Sequence, residues 1–192
     1  GFRPGVRPMT PLEAALAYAE RGWAVLPLCW PNQNFKCGCG RGHDEKGIGK
    51  APLTPQGSKS ASTDPTTIKE WWNHWPSANV GIATGPRSNL HVIDVDNKNG
   101  KDGNLTLATL QARYGELPPA PTVLTSGGGF HLYFRPPVGA QLSSAGLGQD
   151  VDTRGFNGFV VAPPSLHASG QRYEWDAAMH YEDSETLELP EW

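Results

Sequence analysis

Leu90-His91-Val92-Ile93-Asp94-Val95-Asp96 is an apolar run that closes on two carboxylates one residue apart. Side chains two apart on a strand share a face, so both carboxylates converge on one point at the strand end. Two anions that close raise each other's cost of ionisation. A divalent cation removes that cost, and hard carboxylate oxygens suit Mg²⁺ or Mn²⁺. The plainer alternative is a strand running into a polar turn, since Asn97-Lys98-Asn99-Gly100 follows.

Working outward, Asn79 to Thr84 reads as a strand joined to this one by the turn Gly85-Pro86-Arg87-Ser88-Asn89. Asn104 to Tyr114 reads as a helix stopped by Gly115. Thr122 to Thr125 and Phe130 to Phe134 read as paired strands around Ser126-Gly127-Gly128-Gly129. Phe159 to Ala162 and Arg172 to Trp175 supply further strands. Upstream, Thr10-Pro11-Leu12-Glu13 is a capping box that opens a helix with Leu12, Ala15, Leu16 and Ala19 on one face. Gly22 stops it, and Trp23 to Leu28 follows as a buried strand. Asp64-Pro65 opens a helix through Trp71, Trp72 and Trp75 to Pro76. Trp72 and Trp75 are spaced for core packing rather than for base stacking, and His74 and His91 read as structural. Helices and strands are interspersed, so the class is mixed α and β.

The chain has 192 residues and 38% hydrophobic content, which suits one domain. No apolar run reaches the roughly 20 residues that span a bilayer. The N-terminus lacks a basic region followed by an apolar stretch, and the odd count of three cysteines fits a reducing compartment, so a cytoplasmic protein is expected. Residues 1–8 read as a leader foreign to the domain, with Met9 as its start and 9–192 as a single, monomeric domain. The net charge of −3 hides an asymmetry. Residues 1–60 carry 8 Lys/Arg against 4 Asp/Glu, residues 61–172 carry 8 of each, and residues 173–192 carry 7 acids and no base. Nucleic acid is therefore expected near the basic N-terminal third.

Three further stretches carry chemistry. The glycines of Ser126-Gly127-Gly128-Gly129-Phe130-His131 let backbone N–H groups approach an anion, Ser126 adds a hydroxyl and His131 reaches from the strand behind. A flexible hairpin followed by a core histidine is the alternative. Asp150-Val151-Asp152-Thr153-Arg154-Gly155 offers carboxylates beside the strand ending Ala162-Pro163-Pro164-Ser165, and by itself reads as a polar turn. Cys29, Cys37, Cys39 and His43 offer three thiolates and an imidazole, a set that Zn²⁺ takes tetrahedrally. Such a site would order the irregular segment 30–62 and present its basic residues to DNA. Free thiols without metal are the other reading.

The order Asp-x-Asp, Ser-Gly-x-Gly-x-His, then Asp before Ala-Pro-Pro-Ser resembles the archaeo-eukaryotic primase superfamily, and more closely its bifunctional primase-polymerase branch. Gly49-Lys50-Ala51-Pro52-Leu53, the Trp71-Trp72 helix and Asn79-Val80-Gly81-Ile82-Ala83-Thr84-Gly85 are similar to that family's N-terminal half. The resemblance spans roughly residues 10–176. It implies an α+β fold, with a catalytic sheet like an RNA-recognition motif beside a smaller N-terminal α/β lobe. It implies Asp94, Asp96 and Asp152 as ligands of two Mg²⁺ or Mn²⁺ ions, with Asp150 a lesser substitute for the third. Ser126, Gly128 and His131 would hold a nucleoside triphosphate, with Arg154 and Lys50 as further nucleotide contacts. The implied activity is priming and extension of DNA from dNTPs or NTPs on a template, in a phage, plasmid or mobile element, with helical and helicase domains downstream. A non-catalytic, zinc-containing DNA-binding module and a metal-dependent phosphodiesterase are the competing classes.

Overall fold

The structure is a computed structural model that describes residues 7–191. Residues 1–6 of the segment read as a leader, and Trp192, lie outside the described residues. The elements run α1 (Pro11–Glu20), β1 (Val25–Leu28), α2 (Pro65–His74), β2 (Asn79–Ala83), β3 (His91–Val95), α3 (Gly103–Tyr114), β4 (Thr122–Leu124), β5 (Phe130–Phe134), β6 (Gly146–Gly148), β7 (Val151–Arg154), β8 (Phe159–Ala162) and β9 (Glu174–Trp175). Two antiparallel sheets result, a small one in the order β1-β2-β8 and a large one in the order β6-β7-β3-β5-β4-β9. The mixed α and β class is as the sequence predicts.

The β2–β3 turn is not a hairpin. Apart from a single bridge between Gly85 and Leu90, the two strands run on into different sheets. β2 pairs with β8 and β3 pairs with β7, so one two-stranded ribbon passes through both sheets and bends between them. At the bend Thr84 donates its N–H to Gly158 O and its hydroxyl to Gly155 O. Gly85 sits there at φ +80, and a Cβ on it would come within 2.8 Å of Phe156 Cα, so only glycine fits. This corner opens the cleft described below.

Each helix starts where its cap dictates. Thr10 and Glu13 close the expected capping box on α1, and Asp64 caps α2 through the Thr67 N–H. The face α1 buries deepest is Ala14, Ala15, Tyr18 and Ala19, while Leu12 and Leu16 are only partly covered. Tyr18 shifts the face because it reaches the far sheet: its hydroxyl donates to Pro163 O and accepts from Trp175 Nε1. Trp23, Tyr133, Trp175 and Tyr181 pack around it with ring centroids 4.8–6.2 Å apart. Trp72 is buried, with its indole N–H on Ala78 O. Trp75 is only partly buried and lies beyond the helix under the Arg41 guanidinium.

Strand alternation divides the large sheet. Ile93, Val95, Phe134 and Val151 face back, where Leu107 of α3 joins them. Val92, Val123 and Tyr133 face forward into the aromatic core shared with α1 and the small sheet. Asp94, His131, Asp152 and Arg154 stand on that same forward face. His91 is buried against the corner at Gly155 and is structural.

Candidate active site

Asp94 is the centre of the cleft because it lies on β3 between two partners. His131 of β5 is directly opposite it on one side and Asp152 of β7 on the other. Antiparallel partners share a face, so all three side chains rise together. The segment 151–154 is thus a strand and not the polar turn its composition suggests. Val151 and Thr153 are buried behind the sheet, and Asp152 is exposed in front. Asp96 follows at the end of β3, one step along the same face.

Every motif carboxylate is met by cations. Arg154 Nη2 donates to Asp94 Oδ2 at 3.3 Å and lies 3.9 Å from Asp152 Oδ2. His131 Nε2 lies 3.4 Å from Asp94 Oδ1, and its Nδ1 is buried with no hydrogen-bond partner. Lys101 Nζ donates to Asp96 Oδ2 at 2.8 Å, and Lys98 Nζ is 3.7 Å from Asp96 Oδ1. Burial alone would push the Asp94 carboxyl up; the hydrogen bond and charge of His131 and the Arg154 guanidinium overcome it and hold it well below the usual carboxylate range. Asp150 has a structural task. At φ +62 it turns the chain, accepts the Asp96 N–H on its carbonyl and accepts the Asp102 N–H on its carboxylate.

The cleft holds about 300 Å³ and is lined by Lys50, Asp94, His131, Arg154, Phe159 and Tyr173 among others. Larger hollows beside Arg21, Arg87 and Arg135 and beside Pro136 to Leu142 contain none of the motif carboxylates. The Gly-rich turn stands at the end of β3. Asn97 Nδ2 donates to Gly128 O, and a Cβ on Gly129 would come within 2.6 Å of Val95 O. Gly127 and Gly128 adopt φ +74 and +81, and Ser126 is buried at the start of the turn. Ser126 and Gly128 therefore border the Asp94–Asp96 end of the sheet. Sequence reasoning singled out none of Lys98, Lys101, His167 and Tyr173; the two lysines follow Asp96 by two and five residues, while folding brings His167 and Tyr173 to this side of the sheet.

Two donor sets could hold metals. Cys29, Cys37, Cys39 and His43 bring their ligand atoms within 4.8 Å of one another. Successive separations are 3.5 Å, 3.2 Å and 3.1 Å. A tetrahedral site with Zn–S and Zn–N bonds of about 2.0–2.3 Å has edges of about 3.5–3.8 Å, so outward shifts of a few tenths of an ångström would let this group hold a metal such as zinc. Burial pushes the Cys39 thiol up to about 12, a penalty that metal binding would relieve. Among the described residues no other group of three or more such side chains is drawn that close. The carboxylates of Asp94, Asp96 and Asp152 are spread wider, each held to Arg154, Lys98 or Lys101. Their chemistry, three hard anionic donors on one face, fits Mg²⁺ or Mn²⁺.

The chain belongs to the family of bifunctional DNA primase/polymerase N-terminal domains (Prim-Pol), whose model matches residues 15–192. Membership suggests a nucleotidyltransferase that works on nucleic-acid and nucleotide substrates. No curated protein matches the chain at a significant level. Among the described residues, no helix is long and apolar enough to cross a membrane.

Proposed function

We propose that this domain is a template-directed DNA primase/polymerase that transfers nucleotides from dNTPs or NTPs to a 3′-hydroxyl. It would act as a single, monomeric, cytoplasmic domain in the replication of a phage, plasmid or mobile element, with helical and helicase domains beyond it. One observation carries the reading: in a Prim-Pol chain, Asp94 stands in register with both His131 and Asp152, in a cleft that also holds Arg154 and Lys50.

Asp94, Asp96 and Asp152 would hold two Mg²⁺ or Mn²⁺ ions, which when bound acidify a 3′-hydroxyl and steady the pyrophosphate leaving group. The chain's own residues do the remaining work. His131 and Arg154 keep Asp94 ionised despite its burial. Lys50 and Arg154 supply positive charge to a polyphosphate, and the left-handed turn at Gly127 and Gly128 lets the backbone near Ser126 approach it. No side chain has to act as a covalent nucleophile, since positioning and charge neutralisation carry this chemistry. Zn²⁺ held by Cys29, Cys37, Cys39 and His43 would order the loop that carries the exposed Lys36 and Lys46, and so present them to DNA.

Primer extension on a primed single-stranded template, with wild type and Asp94→Ala/Asp96→Ala, tests this. Lengthened product is expected from wild type alone. Equal product from both proteins refutes the site. Shortened primer would mark a phosphodiesterase, and a gel shift with neither product would mark a binding module.

A further inference from the structure

His167 follows Ala162-Pro163-Pro164-Ser165-Leu166, and nothing above uses it. Its tautomer is fixed by its neighbours. The Ser169 backbone N–H donates to His167 Nδ1 at 3.0 Å, and Ser169 Oγ lies 2.8 Å from the same nitrogen. A backbone N–H can only donate, so Nδ1 accepts and the ring hydrogen sits on Nε2. Burial, then the charges of Lys50 and Lys98, lower the His167 pKa to about 4 against the pull of Asp96, so at neutral pH the ring is an uncharged N–H donor.

Asn79 places this donor. It is buried, its Nδ2 donates to Gly49 O at 3.0 Å and Leu166 O at 2.8 Å, and its Oδ1 accepts from the Leu166 N–H at 3.0 Å. The residues just before Lys50 and just before His167 are thereby stitched to one side chain. Gly49 allows the approach, since a Cβ there would come within 3.2 Å of Leu166 O. On the other side, Gln171 closes the His167 hairpin through the His167 N–H and accepts the Gly127 N–H at 3.1 Å. The hairpin is tied to the Gly-rich turn, and Lys98 lies directly under Gly127.

Lys50 forms no ion pair among the described residues, and burial followed by the charge of Lys98 pushes its pKa down. Asp96, the acid that both Lys50 and His167 feel, is already bonded to Lys101. Lys50, Lys98 and His167 thus gather near Asp96, and among the described residues only Lys98 of the three has a carboxylate within ion-pair distance. Such crowding costs electrostatic energy until an anion completes the site.

The structure assigns His167 as a further nucleotide-binding residue, a neutral Nε2–H donor to a terminal phosphate oxygen of a bound nucleoside triphosphate, between Lys50 and Lys98. It moves no proton and makes no bond. The assignment rests on the primase/polymerase reading above. A phosphate oxygen could equally come from a nucleic-acid backbone, but the tie to the Gly-rich turn favours the triphosphate.

The test is equilibrium binding by calorimetry, using inorganic tripolyphosphate, dATP and a single-stranded oligonucleotide. His167→Asn keeps an oxygen that can accept the Ser169 N–H but loses the distal donor; His167→Gln restores an N–H near the Nε2 position. We expect His167→Asn to weaken tripolyphosphate and dATP roughly 10-fold, the loss of one hydrogen bond to an anion, with oligonucleotide affinity unchanged. His167→Gln should recover most of the loss, which a merely structural role would not predict. Unchanged dATP affinity in His167→Asn overturns the assignment, as does a loss confined to the oligonucleotide. A wild type that extends primers while His167→Asn binds dATP normally defeats this inference alone. A wild type that neither extends primers nor binds dATP defeats the functional reading beneath it as well.

Discussion

Asp94 and Asp152 stand opposite each other across β3 and β7, joined by one Arg154 guanidinium that donates to Asp94 at 3.3 Å and lies 3.9 Å from Asp152. The two carboxylates share that one guanidinium on a face that opens to the cleft, a pair of hard donors that suits divalent cations.

Replacing Asp152 should therefore separate activity from stability. Asp94→Asn and Asp152→Asn are each expected to lower primer extension at least about 100-fold, while thermal melting stays within about 2 °C of wild type for Asp152→Asn and falls further for Asp94→Asn, whose buried carboxylate His131 and Arg154 hold ionised. Asp152 is the sharper case, because its side chain is 55% exposed. A Tm drop in Asp152→Asn matching the lost activity would show that this acid serves the fold instead.

The Cys29, Cys37, Cys39 and His43 group should carry metal. Elemental analysis of the purified protein is expected to give one zinc per chain, and chelation to lower Tm by about 5–10 °C, since metal binding here is folding free energy. Cys37→Ser should reproduce both effects. Zinc content near zero would leave the three thiols without a common role.

Tyr18→Phe probes the joint between α1 and the large sheet. The hydroxyl bridges Pro163 O and Trp175 Nε1 at 2.7 Å and 2.8 Å, both inside the core. Its removal leaves a buried acceptor and a buried donor unpaired, so urea denaturation should show a loss of about 1–3 kcal/mol. A loss under about 0.5 kcal/mol would mean that water replaces the hydroxyl.

Acid should weaken the fold before the carboxylates titrate. The folded His167 pKa, lowered by burial and by Lys50 and Lys98 to about 4, lies below its unfolded value of about 6.5. Between these values the unfolded chain binds the extra proton, so stability is complete above about pH 6.5 and is lost as pH falls toward 4. With solvent screening of a half-exposed ring the effect is about 1 kcal/mol. His91, lowered by burial, adds in the same direction. Urea melts from pH 7 to 4.5 should show a shallower slope in His167→Asn than in wild type.

Much of this was legible before folding. The two-residue spacing of Asp94 and Asp96 fixes a shared face on any strand, and the helix caps at Thr10 and Asp64 act within one turn of chain. The close spacing of Cys37, Cys39 and His43 brings ligands together by local geometry, with Cys29 joined by the Pro31–Cys37 bridge. The strand Val151–Arg154 was not legible, because four residues with one face open to a polar cleft carry the composition of a turn. The bend between β2 and β3 likewise reads as a simple turn until β7 and β8 claim the two strands separately.

The sequence by itself determined which donors exist and which neighbours share a face, because those follow from backbone periods of a few residues. Only the tertiary structure decided that Asp152 and His131 flank Asp94, and that Asn79 ties Gly49, just before Lys50, to Leu166, just before His167. Register between strands far apart in the chain, and hydrogen bonds spanning 30 and 87 residues, are set by which core can close, and no local pattern encodes them.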